Sequence, residues 1–206
     1  LNVGAIILSP GAEAFDPSNV SKYGYGRSQN VVTSVEFERI MSASGPFMGH
    51  IQRPSDGKLP KKIAFIQCVG SRDATCDNEY CSSVCCMYAT KEAVIAKEHY
   101  NSIEPTIFYL DMRSYGKDFD GYIERARDEQ GVRFVRSRVS HTEEDPETKD
   151  IKITYTEGNE IIQEMFDLVV LSVGAKSSEE EIQLSKRTRV AVYEYGICET
   201  KPPDTM

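Results

Sequence analysis

The chain has 206 residues, of which 40% are hydrophobic and 27% charged, and carries a net charge of -8. That length is enough to bury one substantial core. No apolar run approaches the roughly 18 residues needed to span a bilayer, and the 24 Lys and Arg are dispersed among 32 Asp and Glu, so neither a transmembrane segment nor a nucleic-acid partner is expected.

The opening, LNVGAIILSPG, lacks an initiator Met, a basic segment and a small-residue cleavage site. It reads as the middle of a longer cytoplasmic polypeptide rather than a signal peptide, so the sequon at Asn19 carries no meaning for glycosylation. After the linker IQRPSDGKLP, the run KKIAFIQCVG (61–70) fits a buried parallel strand. SSVCCMYATKEAVIAKEH (82–99) has the periodicity and composition of a helix. PTIFYLDMR (105–113) is a second strand, DFDGYIERARDEQG a second helix closed by Gly131, and VRFVRSRVS a third strand. A hairpin around Glu157-Gly158-Asn159 and a buried strand from Leu168 to Val173 complete the pattern. Strand alternating with helix predicts an α/β fold with a doubly wound, mainly parallel sheet and a β-hairpin addition.

Six cysteines are present, and five of them fall within residues 68–86. Disulfides that staple a secreted domain tie distant segments together, so this concentration points to metal or redox chemistry. The cysteines occupy the turn between the first strand and first helix, where a dinucleotide-binding domain places its glycine-rich phosphate loop. Here that turn has one glycine, Gly70, which argues against a nicotinamide cofactor at this place. With the helix starting near Ser82, Cys81 lies close to its N-cap, Cys85 one turn on, Cys86 further round, and Cys68 closes the site from the strand. Four thiolates at the positive end of a helix suit a [4Fe-4S] cluster. Cys76 stands among acidic residues and is the spare.

Zinc is a competing reading, although zinc sites usually draw ligands from C-x2-4-C knuckles. A dithiol redox centre is another, and the chain lacks the C-x-x-C such centres favour. Ordinary buried thiols remain the bland alternative.

CVGSRD, followed by YCSSVCCMYATKEA, resembles the signature of the A subunit of heterodisulfide reductase, and NVVTSVEFERIMSASGP (30–46), FYLDMRSYGKDFDGYIERARDEQGVRFVRSRVS and DLVVLSVG are similar to the same family. The resemblance covers nearly the whole chain. It implies a thioredoxin-reductase-like core with FAD and a [4Fe-4S] cluster in a C-x12-C-x3-C-C pattern, which falls here on Cys68, Cys81, Cys85 and Cys86. It further implies an oxidoreductase acting on a sulfur group, whose cluster relays electrons between FAD and the iron-sulfur centres of partner subunits. Other heterodisulfide-reductase-type subunits and electron-donating hydrogenase or dehydrogenase subunits are the expected partners. Two alternatives stand beside it, an FAD and NAD(P)H-dependent disulfide oxidoreductase domain and a structural zinc module that docks partners.

On this reading residues 1–58 are a partial FAD-domain segment and linker, 59–175 the nucleotide-domain-like unit with the cysteines, and 176–206 a partial return to the FAD domain. Within AIILSPGAEAFDP, Ser9, Pro10 and Gly11 replace the flavoprotein Ala-Thr-Gly, and Gly11 alone matches, on the FAD side. The flavin GxGxxG is absent, so this fragment alone is expected to be inactive and without FAD. Arg72 and Lys91 flank the cysteines as counter-charges or as solvated surface. Asp111 reads as vestigial or structural, Cys198 as a small apolar residue, and His50, His99 and His141 have no ligand-like spacing. The loop from Arg72 to Tyr80 is short of apolar residues, so little but bound metal is expected to order it.

Overall fold

A computed structural model describes residues 2–200. In chain order the strands and helices are β1 (Glu13–Ala14), β2 (Val31–Thr33), α1 (Ser34–Met41), β3 (Lys62–Val69), α2 (Cys85–His99), β4 (Glu104–Tyr109) and α3 (Phe119–Asp128). They continue as β5 (Arg133–Arg136), β6 (His141–Glu144), β7 (Ile151–Glu157), β8 (Glu160–Phe166), β9 (Leu168–Val173), β10 (Ala175–Lys176) and α4 (Glu179–Thr188). None of these helices is long and apolar enough to cross a membrane.

Residues 16–174 form one compact unit. Its five-stranded sheet has the order β2-β9-β3-β4-β5, with every neighbouring pair parallel. The central strands are continuous apolar runs because both faces of the sheet are covered. Phe65 of β3 lies between Ile107 of β4 and Val170 of β9 in register. On its face of the sheet Phe65 meets Phe37 of α1 edge-on, ring centroids 5.6 Å apart, and Ala89, Ala93 and Ala96 of α2 join the same core. Small alanines let the helix approach the strands closely. The opposite face carries the antiparallel sheet β6-β7-β8, where Tyr155 and Phe166 stand edge-on to Phe108 at 4.9 and 5.8 Å. The predicted hairpin turns at Gly158, whose φ of 60° is the left-handed conformation such a turn requires.

Strands β3, β4, β5 and β9 and helices α2 and α3 fall on the runs the sequence pattern assigns to them, with α2 starting later and β4 and β5 ending sooner. Within this unit β2, α1 and β6 go beyond the pattern. A three-residue strand is too short to show a period, and α1 is signalled mainly by its capping box, in which Thr33 and Glu36 each satisfy the other's backbone N–H.

Residues 2–15 and 175–200 form the second unit. There β1 pairs antiparallel with β10, and α4 opens on a capping box between Ser178 and Glu181. Gly11 is exposed, with φ 90°, and Cys198 is an exposed free thiol. Leu1 and the last six residues of the expected return segment lie outside the described residues.

Candidate metal centre

Cys68 is the penultimate residue of β3, and the strand is irregular there. Ile66 faces Leu171 and Val69 faces Val173, so β3 carries one residue more than β9 across this step. Such a bulge re-aims a side chain. Cys68 takes up the irregularity with φ 60°, an uncommon conformation outside glycine that costs about 1 kcal/mol or more. Gly70 and Arg72 follow with φ 70° and 54°, turning the chain away from the sheet.

Helix α2 begins at Cys85, three residues later than the pattern predicts. Ser83 is left-handed (φ 63°), which interrupts any helix running through it, and Val84 takes the N-cap position without a side-chain cap. Cys81 therefore precedes the helix instead of capping it. Cys85 and Cys86 become its first two residues, where first-turn N–H groups and the helix dipole favour negative charge.

The sulfurs of Cys68, Cys85 and Cys86 are linked. The Cys85 thiol hydrogen-bonds to Cys68 and Cys86, and those bonds together with burial hold it protonated, far above its ordinary range. Its neighbours respond in the opposite sense. The hydrogen bond from Cys85 lowers Cys68 despite burial, with the Arg72 guanidinium assisting. The same thiol, again against burial, and the backbone N–H of Arg113 bring Cys86 down to about 7. That N–H donates to Cys86 Sγ at 3.4 Å, and the N–H of Ser83 donates to Cys81 Sγ at 3.4 Å.

Asp111, just beyond β4, organises the positive charge around the thiols. It accepts from Arg72 Nη1 on one oxygen and from Arg113 Nε at 3.2 Å on the other. Partial burial opposes ionisation, but these two guanidinium bonds hold the carboxyl below its ordinary range. Arg72 in turn bonds to Cys68. Cys68 and Cys86 are thus tied to a pair of arginines sharing one aspartate, and Cys85 joins them through its thiol bonds. The sequence marks Arg72 and places Arg113 with Tyr109 and Asp111 at the close of the second predicted strand, without a tie to the thiols; Asp111 has a structural role, bracketing the two arginines.

The remaining singled-out residues lie elsewhere. Lys91 pairs with Glu38 of α1 at 3.3 Å. Cys76 stands on a 3-10 turn, its sulfur 3.9 Å from Thr75 Oγ1. His50 Nδ1 bonds to Tyr100 at 3.0 Å, His141 faces Glu143 at 3.5 Å, and His99 ends α2. Among the described residues no three His, Cys, Asp or Glu side chains are placed to hold a single metal ion.

The loop from Arg72 to Tyr80 has support of its own, contrary to expectation. Arg72 N donates to Tyr80 O at 2.9 Å, and Asp73 and Asn78 bridge across it. Buried Asp73 receives Arg138 at 2.7 Å and Lys22 at 3.5 Å, while its other oxygen accepts from Thr75. Polar anchoring replaces the missing apolar contacts.

No family model matches the chain. It is 49% identical over 174 residues to the second A-type iron-sulfur subunit of CoB-CoM heterodisulfide reductase in Methanopyrus kandleri, covering 84% of this chain and 26% of that protein. Against the A subunit of the H(2)/formate:CoB-CoM heterodisulfide,ferredoxin reductase of Methanococcus maripaludis the identity is 45% over 188 residues, covering 90% and 29%. The chain is homologous to the A subunit of heterodisulfide reductase. It spans between a quarter and a third of the length of these relatives. Thioredoxin reductases from T. acidophilum and Lactococcus lactis share its fold, with TM-scores of 0.52 and 0.53 at 11% and 14% identity, covering 91% and 93% of this chain and 49% and 50% of theirs. This heterodisulfide reductase homologue therefore has a thioredoxin-reductase-like α/β fold, with cysteines where such folds place a phosphate loop.

Proposed function

We propose that this chain is the electron-transfer part of a cytoplasmic, heterodisulfide-reductase-like flavin and iron-sulfur oxidoreductase, holding one [4Fe-4S] cluster on Cys68, Cys81, Cys85 and Cys86. The observation that carries this reading is the arrangement of the four thiols, three of them linked, at the uncapped start of α2 and beside Arg72 and Arg113. The donor set fits the group in its chemistry, because four cysteine thiolates are the usual ligands of such a cluster and backbone N–H groups already face two of the sulfurs. When bound, the cluster supplies one-electron chemistry.

The residues of the chain have separable parts in this. Cys68 and Cys86, the thiols shifted toward thiolate, are the first ligands to offer a charged sulfur. Cys85 gives up its proton on ligation, since a thiolate is the ligating form. Arg72 and Arg113 balance the charge of the site, and the apolar ends of β3, β4 and β9 keep water from its inner side. FAD would be held by the complete protein, with Gly11 on its side. Relatives whose names include hydrogen, formate, ferredoxin or F(420)H(2) support partner subunits that donate electrons.

Anaerobic reconstitution decides the matter. About four iron and four acid-labile sulfide per chain are expected. Alanine at Cys68, Cys81, Cys85 or Cys86 should abolish incorporation while Cys76→Ala retains it. One zinc per chain, or equal loss in the Cys76 variant, would overturn the assignment.

A further inference from the structure

We propose that the groove between the starts of α2 and α3 is the docking site of an acidic electron-carrier protein. This deepens the electron-transfer reading and rests on it. The groove has a volume of about 660 Å³. Its walls are apolar and aromatic, from Val84 and Met87 on the α2 side to Tyr115, Phe119 and Tyr122 on the α3 side. Val84, Tyr115 and Phe119 are 46%, 56% and 41% exposed, an apolar surface at odds with the charged surroundings. Aromatic residues and Met at a partly exposed surface are the composition of a protein interface.

Two further observations identify the occupant. Ser83 and Val84 line the groove and lie between Cys81 and Cys85, so a protein seated there sits against the cysteine loop itself. The rim carries Lys117 and Arg125 against one carboxylate, Asp118, while the third cation, Lys91, is paired with Glu38. Among the described residues Lys117 and Arg125 form no ion pair, and Arg125 lies 6.0 Å over the Tyr122 ring. On a chain of net charge -8, a cationic rim around an aromatic groove complements an acidic partner. A redox partner is the one whose chemistry requires proximity to the thiols.

The test uses an acidic ferredoxin as probe, titrated calorimetrically into the chain at low and at high salt. Wild type is expected to bind, with affinity falling as salt rises. The K117E/R125E double variant should bind about tenfold or more weakly, and Phe119→Ser should also weaken binding, with circular dichroism unchanged. Lys58→Glu, on an exposed site away from the groove, should leave binding as it was. Absence of binding by wild type, or equal affinity in the double variant, overturns the proposal. So does a wild-type chain that elutes as a dimer and becomes a monomer on K117E/R125E substitution, because the groove then belongs to a second copy. Iron and sulfide content is measured on the same samples, so a failed docking site and a failed cluster assignment give different results.

Discussion

The backbone N–H of Arg113 donates to Cys86 Sγ at 3.4 Å across 27 residues of sequence, while its side chain grips Asp111. Asp111 also holds Arg72, which reaches Cys68, so the end of β4 controls thiols that belong to β3 and α2. Arg72→Gln removes a positive charge that lowers both Cys68 and Cys86. In metal-free protein the midpoint of the pH profile for thiol alkylation should rise by about half a unit, and Arg72→Lys should restore most of the shift. A profile unmoved by the Gln variant would show that the guanidinium does not act on the thiols.

Gly174 follows β9 where the cysteine loop passes it. A Cβ there would stand 2.6 Å from Ser82 Oγ, 3.0 Å from Ser71 Cβ and 3.1 Å from Gly70 O. Gly174→Ala should therefore displace the loop and cut iron incorporation several-fold, at a stability cost of about 1–3 kcal/mol. Iron assay beside urea denaturation separates the two effects. Full iron content in the variant would mean that the loop yields without disturbing its thiols.

Glu92 is 2% exposed in α2, and its Oε2 has no hydrogen-bond partner. Burial, with Glu38 nearby, raises its carboxyl from an ordinary 4.5 to about 9. A carboxyl shifted upward on folding contributes stability fully below its unfolded value, and that contribution is lost as pH rises toward the folded value. The chain should thus lose stability between about pH 4.5 and 9, by at most roughly 1.4 kcal/mol per unit from this group. Glu92→Gln should flatten that slope and raise Tm at pH 8. Parallel pH dependence in the two proteins would exclude Glu92 as its source.

Asp73 is the anchor of the loop from Arg72 to Tyr80 through Arg138, Lys22 and Thr75. Asp73→Ala leaves those partners without their acceptor and should cost about 1–3 kcal/mol. Hydrogen exchange at Arg72, Asp73 and Asn78, whose N–H groups bond within the loop, should accelerate while exchange in β3 and β9 stays slow. Uniform acceleration across the sheet would instead mark Asp73 as a core residue.

The central strands are legible because each is a run of apolar residues of strand length, and Phe65, Ile107 and Val170 occupy the buried positions such runs predict. The cysteines are legible as a group through density alone. Their detailed geometry is not. The late start of α2 depends on the left-handed φ of Ser83, which serine's ordinary preferences do not mark, and the bulge at Cys68 depends on how β3 pairs with β9. Arg113 and Asp111 reach the thiols only after β4 has been laid beside β3, a long-range pairing that no local pattern encodes. The anchoring of Asp73 by Arg138 is similarly a contact across 65 residues.

A helix start that recruits an anion from solution is occupied only as far as that anion's concentration allows. In α2, Cys85 and Cys86 are themselves the first two residues of the helix, and no capping side chain competes for its N–H groups. Covalent attachment gives their sulfurs an effective concentration that dilution cannot change. Of the two, Cys86 is the one shifted toward thiolate, so the negative charge that this helix end favours can come from within the chain, independent of any metabolite pool.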